Sequence, residues 1–514
     1  MKKYLPFLFL FFLSLVFFWK FFINGLIPVP SDTIVGLYHP YRDLYAKDYP
    51  RGIPFKNFLI TDPVRQIYPW KELAISQFKN YSIPIWNPYE MAGRPLLANF
   101  QSAVFYPFNI LFFIVPFWLS WSFLIMIQPL LGSIFMFLFL RNLKLDIFSS
   151  FFGGVVFAFS GFFVTWLEWG NVLHTALWLP LILLSIDKIF QHSKEISNIK
   201  NKKFFVWFGI LLFSSLASFF GGHLQIFFYV SIVTALYFIF RLYKQSKKFN
   251  ILFVFLIFSI LFLILTSIQW IPTLQFVLLS ARGLDQGFLD VEGWFIPWQH
   301  LVQFIAPDFF GNPTTLNYWG TWNYGELTGY FGIIPLLFAI FAIFIKKNKE
   351  VLFFAFVAIL ALIFALPTPL AKIPFLLNLP LISTSQPTRL LFLVNFSLAV
   401  LSAFGLNYYS NILKNIRIGE KKLVLFSLGL VGIGIAALYV FTIVGIKSGI
   451  DPTNLAVAKR NSILPLAIFI ASLVLILGSM RINKKFTNVI LALLILITIF
   501  DLFRFSWKFN TFSK

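Results

Sequence analysis

Residues 62–108 read DPVRQIYPWKELAISQFKNYSIPIWNPYEMAGRPLLANFQSAVFYPF. The run holds acids, bases and amides, and it is rich in Pro and Trp. The chain around it is mostly Phe, Leu and Ile. Over 514 residues, 59% are hydrophobic, 20% aromatic and 12% charged, with mean hydropathy +0.83. A water-soluble domain cannot bury that much apolar surface, and a chain in lipid must satisfy its backbone internally. The fold class is therefore all-α: a polytopic transmembrane helical bundle, with 62–108 in its large first polar loop.

Upstream of this loop, Lys2 and Lys3 precede an apolar run over 4–27. The run is longer than a signal-peptide core and has no small-residue cleavage site, so it reads as an uncleaved first span. Downstream, segments of about 20 apolar residues recur at 118–140, 147–166, 172–190, 204–221, 224–241, 251–272, 328–345, 351–366, 389–409, 423–446, 462–480 and 487–504. With the first run at 4–26 this gives about 13 spans. The stretch 105–117 is apolar, but Pro107 and Pro116 break it; it reads as re-entrant or interfacial. The division is a first helix over 1–27, an extracytoplasmic loop over 28–117 and helices two to seven over 118–272. A second outer loop over 273–327, helices eight to thirteen over 328–504 and a short outer tail over 505–514 follow.

Charge tests that division. The net charge is +22, from 41 bases and 19 acids. Alternating from an inside N-terminus, each inner connection holds a basic cluster: Arg141/Lys144, Lys188/Lys200/Lys202/Lys203, Arg241/Lys244/Lys247/Lys248, Lys346/Lys347/Lys349, Lys414/Arg417/Lys421/Lys422 and Arg481/Lys484/Lys485. That is the positive-inside pattern of a multi-pass plasma-membrane protein with a cytoplasmic N-terminus and an extracytoplasmic C-terminus. The basic excess sets topology and calls for no nucleic-acid partner. Most acids, and every His except His192, fall outside. No phosphate-binding glycine motif is placed to hold a nucleotide. The absence of Cys excludes disulfides, thiolate metal sites and a Cys nucleophile.

The first outer loop contains an echo. Asp32 is followed by Tyr38 and then Pro40-Tyr41-Arg42-Asp43-Leu44; Asp62 is followed by Tyr68 and then Pro69-Trp70-Lys71-Glu72-Leu73. Each Asp has two readings: a helix N-cap, or a general base for an acceptor hydroxyl at the outer membrane surface. Asp32 lies closer to the first span.

These residues carry a resemblance. Asp62-Pro-Val-Arg-Gln-Ile-Tyr-Pro-Trp, Ile83-Pro-Ile-Trp-Asn-Pro-Tyr and the run from Gly93-Arg-Pro-Leu-Leu-Ala-Asn to Phe108 are similar to the corresponding run of the YfhO family of bacterial membrane proteins. Gly221-Gly222-His223-Leu224-Gln225, Ala306-Pro307-Asp308-Phe309-Phe310-Gly311 and Gln386-Pro387-Thr388-Arg389 extend the similarity along most of the chain. The resemblance implies a GT-C-like glycosyltransferase that takes a sugar from a polyprenyl-phosphate carrier on the outer face, with a loop Asp after the first helix as base. Asp62 matches the family position, and Asp32 shares its pattern. Many relatives carry further helices and a C-terminal extracytoplasmic domain, so this chain reads as a short form or as a truncated sequence.

Such an enzyme must hold the donor phosphate, and Arg, Lys and His suit that task. Outer-face candidates are Arg65, Lys71, Arg94, His223, Arg282 and Arg389, with Gln225, Trp86, Asn87 and His174 as further substrate contacts. Arg389 alternatively anchors its helix at the headgroups, and His223 alternatively serves the Gly221-Gly222 turn. Glu168 and Asn171 share His174's short turn. Trp294, Trp298, Trp319 and Trp322 read mainly as an interfacial belt. No metal site and no cofactor are expected; Asp308 or Glu326 would hold a divalent cation if the reaction used one.

The leading function is transfer of a sugar from a polyprenyl-phosphate donor to an envelope polymer or glycolipid. The alternatives are a lipid-linked glycan transporter or flippase, and a non-catalytic envelope assembly protein. Transporters of that kind tend to show matched halves and polar mid-membrane residues; neither stands out in this sequence.

Overall fold

The computed structural model describes residues 4–50, 57–192, 202–243, 245, 248–280, 287–345, 348–379, 382–415, 418–447, 449–480 and 484–513. Arg282 and several inner bases (Lys2, Lys3, Lys200, Lys244, Lys247, Lys346, Lys347, Arg417 and Arg481) lie outside these residues.

The described chain is a helical bundle. Its only ladder strands are β1 (Trp86–Asn87) and β2 (Arg94–Pro95), an antiparallel pair in the first loop. The long apolar helices are α3 (Phe117–Asn142), α4 (Ile147–Ala158, continued by Gly161–Thr165), α5 (Leu179–His192, preceded by Val172–Ala176), α6 (Lys202–Phe220), α7 (Leu224–Leu242) and α8 (Lys248–Leu278). After the second loop come α9 (Ile333–Ile345), α10 (Lys349–Ala365), α11 (Pro369–Leu376), α12 (Leu391–Asn415), α13 (Ile418–Lys447), α14 (Pro452–Ser479) and α15 (Thr487–Phe509). Before them lie α1 (Leu5–Phe17) and the loop helix α2 (Tyr68–Lys79).

Among the described residues, ten helical segments are long and apolar enough to cross a membrane, and the pair α10–α11, bent by 63°, makes an eleventh. The expected count of about 13 differs at two places. At both, the apolar run forms a helix of only 13 residues. α1 breaks at Phe18 and resumes as Trp19–Asn24. α9 starts late because Gly332 takes φ +100°, and the Asp501 carboxylate accepts from the Tyr330 hydroxyl at 2.6 Å and from the Ile333 N–H. That carboxylate meets a backbone donor that a helix start leaves open.

α12 is the central helix, packed by α4, α9 and α10. Gly405 makes the α9 contact: a Cβ there would lie 1.9 Å from the Phe338 carbonyl oxygen. By contrast, α8 leaves most of its apolar surface open, as a lipid-facing helix does. The bundle sits in a bilayer, and lipid is its outermost contact.

The polar groups gather at the two ends. At the basic end, Arg241 pairs with Asp187 (2.7 Å) and Glu350 (2.8 Å), while Tyr237 and Asn142 also donate to Asp187. This joins α3, α5, α7 and α10. The opposite end carries the long loops and is called the loop end below.

The stretch 62–108 is built into the loop end. Pro63–Ile67 forms one wide helical turn leading into α2. The 105–117 piece is short turns (Pro107–Ile110 and Leu111–Ile114), not a span. Lys71, a sequence candidate for phosphate, is 1% exposed. Its ammonium donates to the Ala103 carbonyl (3.1 Å) and Asn109 Oδ1 (3.0 Å), and burial pushes its pKa down to about 7. It ties α2 to the segment behind it and presents nothing to a ligand. Lys71→Met is expected to cost about 1–3 kcal/mol, read as a lowered unfolding temperature in detergent. The unfolded chain holds the Lys71 proton up to about pH 10, while the folded chain releases it near 7. Stability therefore gains from this group as pH rises between those values, and that gain is absent from the variant.

Candidate functional site at the loop end

Arg389 lies in the Pro387–Leu390 turn that leads into α12. Its Nε (3.1 Å) and Nη2 (2.9 Å) donate to Glu326 Oε1, and its Nη1 donates to Gln225 Oε1 at 3.1 Å. Thr388 Oγ1 donates to the other Glu326 oxygen at 3.0 Å. Gln225 Nε2 in turn donates to the Gln386 carbonyl at 2.6 Å and to Tyr229 Oη at 2.7 Å. The guanidinium carbon lies 5.2 Å from the Trp166 ring centroid. Four segments far apart in sequence thus converge on one guanidinium. Glu326 is buried, while Arg389 keeps about a quarter of its side chain exposed (23%). Of the five N–H donors of Arg, three are engaged in these bonds.

The Gly221-Gly222 pair explains how Gln225 reaches this place. A Cβ on Gly221 would lie 2.7 Å from the His174 carbonyl, and one on Gly222, at φ +97°, would lie 2.7 Å from Ala103 Cβ. Only bare backbone lets the turn nest between α5's lead-in and the 96–106 loop. His223 then caps α7 through Nδ1, which accepts from the Ile226 N–H at 3.3 Å; its own N–H donates to Thr175 Oγ1. From the same loop, the Leu97 and Ala98 carbonyls accept from Gln269 and Thr273 of α8. His174 is wholly buried, held between the Tyr106 hydroxyl (2.6 Å) and the Leu124 carbonyl (2.9 Å).

Asp62 precedes the Pro63–Ile67 turn, which packs on Leu167–Trp169. The Trp169 ring lies 4.8 Å from Trp166, tilted by 53°, and Trp166 underlies Arg389. Asp62 is half-buried and makes no side-chain cap bond, ion pair or other hydrogen bond among the described residues. Asp32, also half-buried, is the first residue of the helix Asp32–Leu37, whose N-cap is Ser31, so it is not the cap. The two copies of the echo touch where the Arg65 guanidinium lies 5.6 Å from the Tyr38 ring.

Trp86, Asn87 and Arg94 form a separate unit around the β1–β2 pair. Glu90 accepts from Trp70 Nε1 and Asn87 Nδ2 and pairs with Arg94 at 3.4 Å; Arg94 also lies over the Trp70 ring. These contacts brace the hairpin on α2. They do not join the Arg389 cluster.

Two further buried loop-end acids are committed. Glu168 accepts from the Thr511 N–H (2.6 Å) and hydroxyl. Asp308 pairs with Lys508 at 2.7 Å and accepts from Tyr324 Oη and Asn312 Nδ2. Burial and the Asp308 charge hold the Tyr324 phenol well above its ordinary pKa, so it remains a donor. Among the described residues, no three His, Asp or Glu side chains group as metal ligands. A cycle on Asp308→Asn and Lys508→Met should show coupling of about 1–3 kcal/mol in thermal stability, the double variant losing less than the sum of the singles.

Sequence reasoning placed Arg389 and Gln225 in separate motifs and weighed Glu326 only as a metal ligand. Thr388 stood inside a quoted motif without a role, and Trp166 carried no linear signal. Lys508 lay in the tail and gave no hint of its partner 200 positions away.

Neither a curated protein nor a solved structure matches this chain. A family model, described as bacterial membrane protein YfhO, matches residues 95–513. That span contains the 96–106 loop, the Gly221–Gln225 turn and the Glu326–Arg389 centre, and with most of the chain covered, this protein belongs to the YfhO family of bacterial membrane proteins.

Proposed function

We propose that this protein is a glycosyltransferase that moves a sugar from a polyprenyl-phosphate donor to an envelope acceptor at the loop end, on the outer face of the membrane; the basic clusters at the other end support that orientation. One observation carries the reading. The loop end holds a partly exposed guanidinium, fixed by a buried carboxylate, and a half-buried carboxylate, Asp62, with no described partner, whose turn is linked to that guanidinium through Trp169 and Trp166.

The chemistry follows from those two groups. The acceptor oxygen bonds to the anomeric carbon as the bond from that carbon to the phosphate oxygen breaks. The hydroxyl proton passes to the Asp62 carboxylate, and the bonding pair leaves with the polyprenyl phosphate. Arg389 stabilises the charge on the departing phosphate through its unengaged N–H donors. Glu326 and Gln225 keep the guanidinium in one orientation, so little is spent on ordering it during the reaction. Asp32 is the second candidate base, on the equivalent position of the echo.

Mass spectrometry of envelope glycans from cells with and without the gene tests the reading. Loss of one glycosyl substituent is the expected result. An identical glycan profile overturns it, and accumulation of unflipped lipid-linked glycan on the inner leaflet would favour a transporter instead.

A further inference from the structure

An apolar cavity of about 240 Å³ lies between α7, α10 and α11 and is bounded above by the Pro387–Leu390 turn. Phe228, Ile232, Ala361, Phe364, Phe375 and Leu390 are among its walls. The 63° bend between α10 and α11 turns α11 aside and leaves this gap at the loop end of the bundle. On α7 the lining runs from Phe228 to Leu236, about 12 Å along the helix axis. Phe228 and Ile232 are exposed at its rim, so the cavity faces lipid sideways.

Its upper end is different in kind. Tyr229 and Pro387 line the cavity. Tyr229 Oη accepts from Gln225, whose carbonyl accepts from Arg389; Pro387 is two residues before Arg389. A hydrocarbon slot open to the membrane therefore ends at Tyr229 and Pro387, which connect it to the Arg389 guanidinium and its unengaged N–H donors just outside the lining. That pairing fits one lipid shape, a single chain carrying a terminal phosphate. We infer that this slot holds the first isoprenoid units of a polyprenyl phosphate, with the phosphate at Arg389.

The inference rests on the reading of the donor given above and adds its entry route, between α7 and α10–α11. One narrow slot takes one chain, which separates a polyprenyl phosphate from two-chain phospholipids. The tail already lies in hydrocarbon before it enters, so the slot selects it by shape and packing while the phosphate sets its depth.

The full-length chain with Phe228→p-benzoylphenylalanine, reconstituted in phosphatidylglycerol vesicles containing a few per cent undecaprenyl phosphate, is irradiated and analysed by intact-mass spectrometry. The expected adduct is undecaprenyl phosphate, enriched at least tenfold over its share of the lipid. Ala361→Phe, which fills the interior, and Ile232→Trp, which narrows the rim without touching the core, should each reduce it at least fivefold. Phosphatidylglycerol adducts in proportion to abundance, or undecaprenyl phosphate adducts unchanged in both narrowed variants, overturn the assignment. The two readings fail separately. Capture of undecaprenyl phosphate by a protein whose deletion leaves envelope glycans unchanged supports the slot and removes the transferase. A gene-dependent glycan with no enriched capture removes the slot alone.

Discussion

Arg389→Ala is expected to abolish envelope glycosylation and to lower stability by about 3 kcal/mol, because it leaves the buried Glu326 carboxylate without its cation. Loss of activity alone would not separate a site residue from a strut; two further variants do. Arg389→Lys keeps the charge but cannot supply the fork that spans Glu326 and Gln225; partial stability with activity reduced at least tenfold is expected. The double variant Arg389→Met with Glu326→Gln removes both charges together. Replacing a buried pair by neutral groups of similar volume is often close to neutral for stability, so thermal unfolding should return near the wild-type temperature while glycosylation stays absent. Wild-type glycosylation in that stable double variant would make the pair a structural brace and nothing more.

Asp62→Asn should behave in the opposite way. The carboxylate makes no hydrogen bond among the described residues and is half-buried, so the isosteric amide should change stability by less than about 0.5 kcal/mol. Removal of a general base costs about 10²–10⁴ in rate. A protein that folds and inserts normally but transfers sugar at least a hundredfold more slowly is therefore expected. Asp32→Asn is the built-in comparison. Asp32 lies in a separate helix, and its substitution should leave most activity in place if Asp62 is the base. A reversal of the two results would move the base to Asp32 and leave the rest of the site unchanged.

The helical bundle was legible because lipid imposes a length and a composition on each span, and both can be read without partners. What sequence hid were the breaks. Nothing in the apolar run around Ile333 announces that Asp501, far downstream, meets the start of α9. The motifs at Gly221–Gln225 and Gln386–Arg389 were each visible, but their shared centre was not, because Gln225 and Arg389 meet across 164 positions. Lys71 is instructive for the opposite reason. Ile67, Lys71, Ala74 and Ile75 fall on one buried helical stripe, so the period already placed the ammonium inside. The basic side chain drew attention to charge and away from position. The hairpin residues Trp86, Asn87 and Arg94 resembled a binding motif because their own mutual packing requires the same residue types.

The proposed reaction needs a single carboxylate acting at the loop end. Its most direct test is quantitative mass spectrometry of envelope glycans from cells lacking the native gene and carrying wild-type, Asp62→Asn or Asp32→Asn protein at equal membrane levels. Full glycosylation is expected with wild type, glycosylation below about one per cent with Asp62→Asn, and most of it retained with Asp32→Asn. Wild-type glycan levels in both Asn variants would contradict the proposed reaction.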